Sequence, residues 1–404
     1  MIRLIPKVQN YDWGSRTALP DLCGIASPSA APIAELWYGA HEMGSSTFLD
    51  GQRLDAQIAR NPINELGENF AEVNDGRLPF LVKLLSAERP LSLQVHPSLS
   101  QAKSGFSREE SNGVPMDSPK RNYKDWNHKP ETLVALSEFS ALAGFRETQD
   151  TLNFLKSIRS PRLHGTINTL ADAPGPSGIA SAFNSIYQLT GDELKSTVLA
   201  TAEAASQYLK TAGPSAPWSK ESKLMISLAK EHPNDPGSLA SVLLNLVVLQ
   251  PGQAIFLKPG QLHAYLCGTG IEVMSSSDNV IRCGLTTKHV DLEELRTIIT
   301  FDPTTDPMII PHHNGRNGGI ELIYPTPGYE FKLSRIELGT RAQSYKYTPN
   351  SPEILVCTSG LAQAHQSGDM VPVGPGQAIW IPMSSEEVLL SSTSDATLFR
   401  TRAT

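Results

Sequence analysis

The sequence predicts a mainly β protein with an α-helical insertion, built as two jelly-roll barrels plus a helical domain. Short apolar runs separated by turn residues fill the first 145 residues and return after residue 249. Helical periodicity is confined to the stretch between them. The motif PGQAI occurs twice, at 251–255 and 375–379, and each copy leads into an apolar run. This repetition favours a duplicated β-unit whose strands are broken by Pro-Gly turns.

The clearest N-terminal strands are LPFLVKLLSA (78–87) and LSLQVHP (91–97), which are apolar and separated at Pro90. The segment TLVALSEFSALAGF (132–145) also fits a helical period, but its β-branched start and Gly144 favour strands. We therefore expect the first 146 residues to contribute mainly strands.

Three segments with helical periodicity follow: ETQDTLNFLKSI (147–158), GDELKSTVLATAEAASQYLKTAG (191–213) and SKLMISLAKEHP (222–233). Asp192 is the predicted N-cap of the second helix and Gly213 its C-terminal stop. APGPSG (173–178) is predicted to be a loop. The region 147–248 is thus predicted to be a helical insertion domain.

The predicted units are a first barrel from 1–146 and 249–318, the insertion, and a C-terminal barrel from 319–404. NGRNGG (314–319) has the composition of a flexible connection between the barrels. When the PGQAI copies are aligned without gaps, His263 falls opposite Glu387. We therefore expect only the first barrel to bind a metal.

Composition and charge indicate which kinds of molecule the protein is suited to bind. The formal charge of −7 and a pI near 5.8 argue against nucleic acid or an acidic membrane surface as the main partner. The four cysteines show no C-x-x-C spacing, which suits reduced thiols. No apolar stretch approaches membrane-spanning length. We expect a cytoplasmic monomer that acts on a small molecule.

Four residues could form a metal site. Gln94 and His96 lie two apart on a predicted strand and therefore share a face. NHKPE (127–131) adds the carboxylate of Glu131, and KPGQLHAY adds His263 after a turn. Singly, each is more often a packing or surface residue. Together they form a mixed nitrogen and oxygen set that fits zinc, with manganese, iron or cobalt left open.

The charge of this set indicates a catalytic site. One carboxylate and three neutral ligands leave a divalent ion with a net charge of about +1, which suits a Lewis acid. A structural zinc site would more often use thiolates. Arg282, in the apolar run NVIRCGL, needs an anionic partner from protein or ligand. Lys288 is a second cation nearby in the sequence, and Glu272 and Asp278 offer carboxylates that could balance these charges.

Eight segments identify a known family. They are YDWGS (11–15), ELWYGAH (35–41), LPFLVKLL (78–85), LSLQVHP (91–97), RNYKDWNHKPE (121–131), FSALAGFR (139–146), LKPGQLHAYL (257–266) and SDNVIRCGLTTKHVD (277–291). They run in order through the first 300 residues and closely resemble type I mannose-6-phosphate isomerase, also called phosphomannose isomerase. The most specific are QVHP, NHKPE and DNVIRCGLTTK.

The resemblance implies a cupin-type fold, with the C-terminal barrel as a degenerate cupin that holds no metal. It implies one zinc ion per chain, held by the residues corresponding to Gln94, His96, Glu131 and His263. Arg282 matches the catalytic arginine of the family. Lys129 and His128 match its active-site segment.

The implied reaction interconverts mannose 6-phosphate and fructose 6-phosphate through an enediol(ate). Zinc would polarise the O1 and O2 side, while Arg282 would stabilise the charged intermediate. The proton-carrying base stays open between His128, a water molecule on zinc and a carboxylate. Candidates for contact with the phosphate or sugar lie in the 104–124 loop and near His263: Ser104, Arg108, Lys120, Lys124, Lys288 and Tyr265.

Two other functions are compatible with a metal-binding β-barrel. An iron oxygenase would use two histidines and a carboxylate, but the Gln ligand and the basic surroundings argue against redox chemistry. A sugar-phosphate-binding regulator is the non-enzymatic alternative. The complete ligand set with Arg282, and the lack of a basic DNA-binding segment, argue against it.

Overall fold

The computed structural model describes residues 1–314, 321–326, 330–339 and 344–404. The predicted flexible connection at 314–319 lies, beyond Asn314, outside the described residues, and so does the predicted boundary between 318 and 319. A block of helices lies between two regions of sheet, and this order agrees with the prediction from the sequence.

The strands are numbered in chain order: β1 Ile2–Leu4, β2 Lys7–Gln9, β3 Glu35–His41, β4 Gly44–Ser45, β5 Phe80–Ala87, β6 Leu93–Val95, β7 Glu131–Ala135, β8 Phe139–Phe145, β9 Leu244–Leu249, β10 Ala254–Leu257, β11 His263–Ser275, β12 Ile281–Gly284, β13 Met308–Ile309, β14 His312–His313, β15 Glu321–Tyr324, β16 Phe331–Leu338, β17 Ser344–Tyr347, β18 Glu353–Ser359, β19 Ala362–Gln366, β20 Asp369–Val373, β21 Ala378–Ile381, β22 Val388–Ser391 and β23 Ala396–Ala403.

The helices are α1 Ala18–Cys23, α2 Leu54–Arg60, α3 Pro62–Leu66, α4 Glu68–Val73, α5 Leu99–Ser111, α6 Thr148–Ile158, α7 His164–Asp172, α8 Pro176–Gln188, α9 Gly191–Ala212, α10 Ser219–Glu231, α11 Pro236–Ala240 and α12 Leu292–Ile298, with a 3₁₀ turn at Ser241–Leu243.

The strands β2 to β13 form one sheet system, the N-terminal β-unit. Its central strand is β11. Residues 268–275 of β11 pair with β5 and β7, whereas its first residues pair with β6 and β8. The change of partner falls at Gly268, whose φ is +127° and where a Cβ would meet the Glu138 carbonyl oxygen at 2.6 Å. A glycine is required there because the backbone bends against its neighbour.

The helical block supports the strands of the candidate site from behind. Helices α6 to α11 occur between β8 and β9, and the buried side chains of α6, α8, α9 and α10 share one core with Leu93 of β6 and Ile281 of β12. Tyr187 of α8 also donates its hydroxyl to the carbonyl oxygen of Cys283 at 2.9 Å. The insertion is therefore continuous with the core beneath β6 and β12.

Several predictions about the helices hold and several are wrong. Helices α6, α9 and α10 confirm the three predicted ones, and Gly213 ends α9. Asp192 is wrong as the N-cap, because Thr190 takes that position and Asp192 lies in the first turn. The 173–178 loop is wrong in its second half, because Pro176 begins α8. Sheet resumes at Leu244, inside the predicted insertion.

The first 145 residues hold more helix than predicted. Five helices, α1 to α5, interrupt the extended runs. The most relevant is α5, which begins at a capping box formed by Ser98 and Gln101. The predicted 104–124 loop is therefore wrong in its first half, since Ser104 and Arg108 lie on α5. A serine followed three residues later by glutamine was the signal for this helix.

The strands β14 to β23 form a second unit, the C-terminal β-unit, which β1 joins by pairing with β21. A seven-stranded sheet and a four-stranded sheet enclose one apolar core. The other face of the seven-stranded sheet packs on the N-terminal β-unit, where Trp380 and Phe399 share a core with Tyr38 and Phe80. The two β-units are therefore joined by a continuous hydrophobic interface.

The PGQ motif makes the same turn wherever it occurs. In the first copy Gly252 donates its N–H to Ala135, and the Gln253 side chain accepts the N–H of Gln250. In the second copy Gly376 donates to Cys357, and the side chain of Gln377 accepts from Gly374. The two copies therefore form the same turn, with the same backbone donors and side-chain acceptor.

A third PGQ, at 259–261, uses the same turn beside the candidate site. The side chain of Gln261 accepts the N–H of Lys258, and Gly260 donates its N–H to the His96 carbonyl at 2.8 Å. The φ of Gly260 is +82°, a conformation that favours glycine. The turn that precedes β11 therefore fixes the backbone of a predicted metal ligand.

Candidate metal centre and active site

Three buried residues of the N-terminal β-unit converge on one point. The Nε2 atom of His96 lies 3.3 Å from Oε1 of Glu131, and Nε2 of His263 lies 3.4 Å from Oε2. One ligand atom from each residue lies within 4.8 Å of the others. All three side chains are at most 2% exposed. Distances of this size leave room for a metal ion between the groups.

Backbone carbonyls orient both imidazoles. Nδ1 of His96 lies 2.8 Å from the Asn279 carbonyl oxygen, and Nδ1 of His263 lies 2.9 Å from that of Gln261. Since a carbonyl only accepts, each Nδ1 carries the proton and each Nε2 keeps its lone pair. Burial, assisted by nearby Lys129, lowers the pKa of His96 to about 4. His96 is thus neutral at neutral pH, the state that binds metals.

Glu131 supplies the charge of the cluster. Burial opposes ionisation, but the charge of Lys129 leads the effects that outweigh it and hold the pKa of Glu131 well below its ordinary value. The Nζ atom of Lys129 lies 3.0 Å from Oε1. Glu131 is the first residue of β7 and is opposite Met274 of β11 in the register. The carboxylate is therefore ionised and fixed by the sheet.

Gln94 completes the predicted set. It is directly opposite His263 in the pairing of β6 and β11, and its amide nitrogen lies 3.5 Å from Nε2 of His263. A half-turn of the amide brings its carbonyl oxygen to this position, and the two orientations have nearly the same shape. All four predicted ligands are brought together.

Buried polar atoms without hydrogen-bond partners are a second reason to expect a metal ion at this site. Nε2 of His96 and Oε2 of Glu131 are buried and have no hydrogen-bond partner. A buried polar atom without a partner costs about 1–3 kcal/mol, so a cluster that contains two such atoms favours a bound cation. Two imidazoles, one carboxylate and one amide oxygen are a donor set that suits zinc.

Arg282 lies beside the same cluster. It is opposite Gln94 in the pairing of β6 with β12, so the two side chains leave the same face of the sheet. The guanidinium is half-buried, and within the described part of the chain it has no ion pair or hydrogen bond. Burial lowers the pKa of Arg282. The anionic partner that the sequence required is not supplied by the described residues.

Glu272 and Asp278 balance other groups. Glu272 accepts from Lys83 at 2.9 Å and from the hydroxyl of Tyr265 at 2.7 Å. Asp278 lies 3.6 Å from His41. The sequence-based suggestion that these two carboxylates balance Arg282 is therefore wrong.

His128 lies at the contact between the β-units. Its Nε2 is 2.6 Å from Oε1 of Glu330, and Oε2 of Glu330 accepts from the hydroxyl of Ser275, also at 2.6 Å. Glu330 directly precedes β16 of the C-terminal β-unit. Nothing in the sequence pointed to this residue.

Asn279 is a second residue that sequence analysis missed. It is fully buried and joins the segment before Glu131 to the segment before Arg282. Its amide nitrogen donates to the carbonyl oxygens of Asp125 and Asn127, both at 2.8 Å. Its own carbonyl accepts from His96. A buried asparagine with these contacts fixes the loop that carries His128 and Lys129.

Lys83 is a third. It lies in β5, where every residue is buried, and its ammonium contacts Glu272 at 2.9 Å and Glu35 at 3.9 Å. These carboxylates outweigh burial and raise the pKa of Lys83. A lysine inside the apolar run LPFLVKLL was the available signal, by the argument applied to Arg282.

The predicted substrate contacts are more scattered. Ser104, Lys120 and Lys288 have exposed side chains, whereas Tyr265 is only 3% exposed and donates its hydroxyl to Glu272. Lys124 is half-buried, and burial and the nearby cations Arg121 and Arg282 lower its pKa. The predicted metal ligands therefore form one cluster, whereas the predicted phosphate contacts differ in exposure and do not form one.

A cavity of about 450 Å³ lies between the end of α5 and the start of α12. The charged or titratable residues that line it are Arg108, Glu109, Lys120, His289, Asp291 and Glu294. Lys120 and Arg108 are the two phosphate candidates in this cavity, and none of the four metal ligands lines it. Arg108 already pairs with Glu294.

Similar proteins point to one enzyme family. A family model described as phosphomannose isomerase type I, catalytic domain, matches residues 1–148. Mannose-6-phosphate isomerase of Salmonella typhimurium is 37% identical over 97% of each chain, and that of Escherichia coli is 36% identical over 96%. The human enzyme of the same name is 30% identical over 97% of this chain and 96% of its own.

Solved structures agree. A crystal structure of mannose 6-phosphate isomerase bound with zinc and yttrium superposes with a TM-score of 0.88 at 36% identity, covering 100% of this chain and 99% of that one. A glutamate-to-alanine mutant of phosphomannose isomerase from Salmonella typhimurium gives 0.89 with the same coverage. Within the described residues, no helix combines the length and apolar character needed to cross a bilayer. The chain belongs to the type I mannose-6-phosphate isomerase family and is an isomerase.

Proposed function

We propose that the chain is a zinc-dependent aldose–ketose isomerase that interconverts mannose 6-phosphate and fructose 6-phosphate through an enediol(ate). The observation that carries the proposal is the convergence of His96, Glu131 and His263 on one point, with buried ligand atoms that lack partners. The family relatives support the substrate, and a zinc-bound relative supports the metal.

One zinc ion per chain would be held by Gln94, His96, Glu131 and His263. When bound, it supplies Lewis-acid polarisation of the sugar oxygens. The same four residues would accommodate another divalent metal by ligand type. Zinc is preferred because the nitrogen-rich donor set matches it and because the related structure holds it.

Arg282 stabilises the anionic intermediate in this proposal. Its guanidinium leaves the same face as Gln94, so it lies next to the metal ligands rather than behind them. A half-buried cation without a protein partner in the described residues is available to a substrate anion. Stabilising a developing oxyanion in this way is typically worth about 2.7–4 kcal/mol for one donor.

Lys129 and His128 are the other catalytic candidates. Lys129 keeps Glu131 ionised and lies at the edge of the ligand cluster, where its ammonium can also donate to a substrate hydroxyl. We assign the transfer of a proton between C1 and C2 to His128, because an imidazole has two ring nitrogens and can accept a proton on one while the other stays hydrogen-bonded. The carboxyl of Glu272 is the alternative, and burial raises its pKa.

The phosphate group would lie on the basic side of the site. Arg282 is close enough to Lys124 to lower the pKa of the lysine, and Ser104, Lys120 and Lys288 are further candidates. The cavity that contains Arg108 and Lys120 offers space for a charged group. We also propose that both β-units are cupin-type barrels, that the first carries the chemistry, and that the enzyme is a cytoplasmic monomer.

A coupled assay tests the proposed function. Purified protein should convert mannose 6-phosphate to fructose 6-phosphate, with fructose 6-phosphate detected by a second enzyme. Folded, zinc-loaded protein without turnover would contradict the proposal and favour a sugar-phosphate-binding protein. Turnover by zinc-loaded protein that contains no iron excludes the oxygenase alternative.

A further inference from the structure

The active-site segment of the N-terminal β-unit is contacted by an acidic residue of the other unit. Glu330 lies outside the N-terminal β-unit, which carries the metal ligands and Arg282, yet its carboxylate contacts two groups of that unit. His128 contacts one of its oxygens and Ser275 the other, each at 2.6 Å. The contact with Ser275 has the usual length of a hydroxyl–carboxylate hydrogen bond, and the contact with His128 is slightly shorter than is usual for a nitrogen donor.

The side chains that form this contact are largely buried and hydrogen-bonded to one another. Ser275 is fully buried at the end of β11, the strand that begins with His263. The Glu330 side chain is 28% exposed and that of His128 11%. Burial opposes ionisation of Glu330, but hydrogen bonds from His128 and Ser275 lower its pKa, so it is a carboxylate at neutral pH.

The backbone of Glu330 is fixed as well. Its carbonyl accepts the N–H of Thr404, which directly follows β23. Glu330 itself precedes β16, which pairs with β23 along its full length. The carboxylate is therefore held by the sheet of the C-terminal β-unit, and it can hold an imidazole in a fixed orientation.

We infer that Glu330 is a positioning residue for His128, supplied to the active site by the C-terminal β-unit. Its carboxylate accepts the Nε2 proton and sets the plane of the ring, as an acidic residue does for the histidine of a catalytic triad. The hydroxyl of Ser275 fixes the carboxylate in turn. This inference rests on the proposed function, because it assumes that His128 acts in the isomerisation.

The inference gives the C-terminal β-unit a role in catalysis. That unit has no metal ligands among its described residues, and its apolar contact with the N-terminal β-unit explains only attachment. Through Glu330 it also determines the geometry of a catalytic group.

A double-mutant cycle tests the inference. Kinetic constants are measured for the wild type, Glu330→Ala, His128→Ala and the double variant, together with zinc content and thermal midpoint. We expect Glu330→Ala to lower kcat by about 10–100-fold, with KM changed less than twofold and zinc content unchanged. In the His128→Ala background the same substitution should change kcat less than twofold, because its effect acts through the imidazole.

Two further variants control for nonspecific effects of substitution and for loss of folding. Glu387→Ala is the matched control, since Glu387 belongs to the same unit but forms an exposed ion pair with Lys346; it should retain wild-type kinetics. Glu330→Gln preserves the size of the side chain if Glu330→Ala fails to fold, and it should show a smaller loss with the same dependence on His128.

Specific outcomes would overturn the inference. Glu330 variants with wild-type kcat would do so, and so would losses at Glu330 and His128 that multiply in the double variant. A wild-type protein without turnover would instead contradict the proposed function, and the inference would fall with it. An active wild type with unaffected Glu330 variants contradicts the inference alone.

Discussion

Arg282 and Gln94 are directly opposite each other in the pairing of β12 with β6, and Gln94 is in turn opposite His263 of β11. Adjacent strands are about 4.8 Å apart, so the backbones of His263 and Arg282, the outer residues of this row of three, lie roughly 10 Å apart. A cation on the same face as the metal ligands is suited to stabilise negative charge on the sugar oxygens that the metal would polarise.

Replacing Arg282 should separate catalysis from metal binding. We expect Arg282→Ala to lower kcat by at least about 100-fold, since it removes the cation that faces the intermediate, while zinc content stays at one per chain. Arg296→Ala is the control, because Arg296 is an exposed arginine that contacts Asn184. Loss of zinc or a large fall in thermal midpoint in Arg282→Ala would make Arg282 structural.

Replacing His263 should instead empty the metal site. We expect His263→Ala to weaken zinc binding by more than about 100-fold, because even partners outside the ligand shell contribute 10–100-fold. Zinc content after dialysis, measured by elemental analysis, reports the effect. His365→Ala, a histidine of the C-terminal β-unit that contacts Ser391, should keep its zinc. Stoichiometric zinc in His263→Ala would remove this residue from the ligand set.

The buried ionic cluster of the C-terminal β-unit predicts a pH-dependent stability. Glu321 and Glu353 contact Arg400, and all three are at most 4% exposed. Burial opposes ionisation of Glu321, but hydrogen bonds from Tyr345 and others, and the charge of Arg400, lower its pKa. A carboxylate with a lowered pKa stabilises the folded state above its unfolded pKa, and the contribution is lost as the pH falls through the folded value.

Glu321→Gln should therefore lower the free energy of unfolding by about 3 kcal/mol at pH 7, as expected when a buried charge partner is removed. The difference from the wild type should shrink as the pH falls below the ordinary glutamate pKa of about 4.3 and through the lower folded pKa of Glu321. Denaturant unfolding at pH 7 and pH 3 measures both values. Glu337→Gln, whose carboxylate forms a partly exposed ion pair with Arg335, should cost less than about 1 kcal/mol. An equal effect of Glu321→Gln at both pH values would contradict the linkage argument.

Two helical glycines should respond to alanine with opposite signs. A Cβ on Gly105 of α5 would meet the ring of buried Tyr123 at 2.2 Å, so Gly105→Ala should destabilise by about 1–3 kcal/mol. A Cβ on Gly165 of α7 has nothing within 4 Å, so Gly165→Ala should be neutral or stabilise by up to about 1 kcal/mol. Thermal unfolding of both variants checks the pair, and equal midpoints would show that Tyr123 moves aside freely.

Local patterns were sufficient for much of the candidate site. Two-residue spacing put Gln94 and His96 on one face, and a Pro-Gly turn placed His263 at the start of β11. Arg282 was singled out because a charge within an apolar strand needs a partner. Applied to Lys83 in β5, the same argument would have found the Lys83–Glu272 pair as well.

Other features depend on contacts distant in sequence. Glu330 is 202 residues from His128, and no spacing rule relates the two. The misassigned N-cap of α9 is a near miss, because Thr190 and Asp192 both precede the apolar face and only the backbone conformation distinguishes them. Helix α5 was not predicted, although the sequence shows its capping box, because that box directly follows the apolar run predicted to be a strand.

Metal-dependent turnover of mannose 6-phosphate tests the central claim most directly. The conversion to fructose 6-phosphate is measured on purified protein, after removal of metal by a chelator, and again after zinc is restored. The cluster of His96, Glu131 and His263 predicts that activity disappears with the metal and returns with about one zinc ion per chain. Full activity in protein shown by elemental analysis to contain no metal would contradict the account.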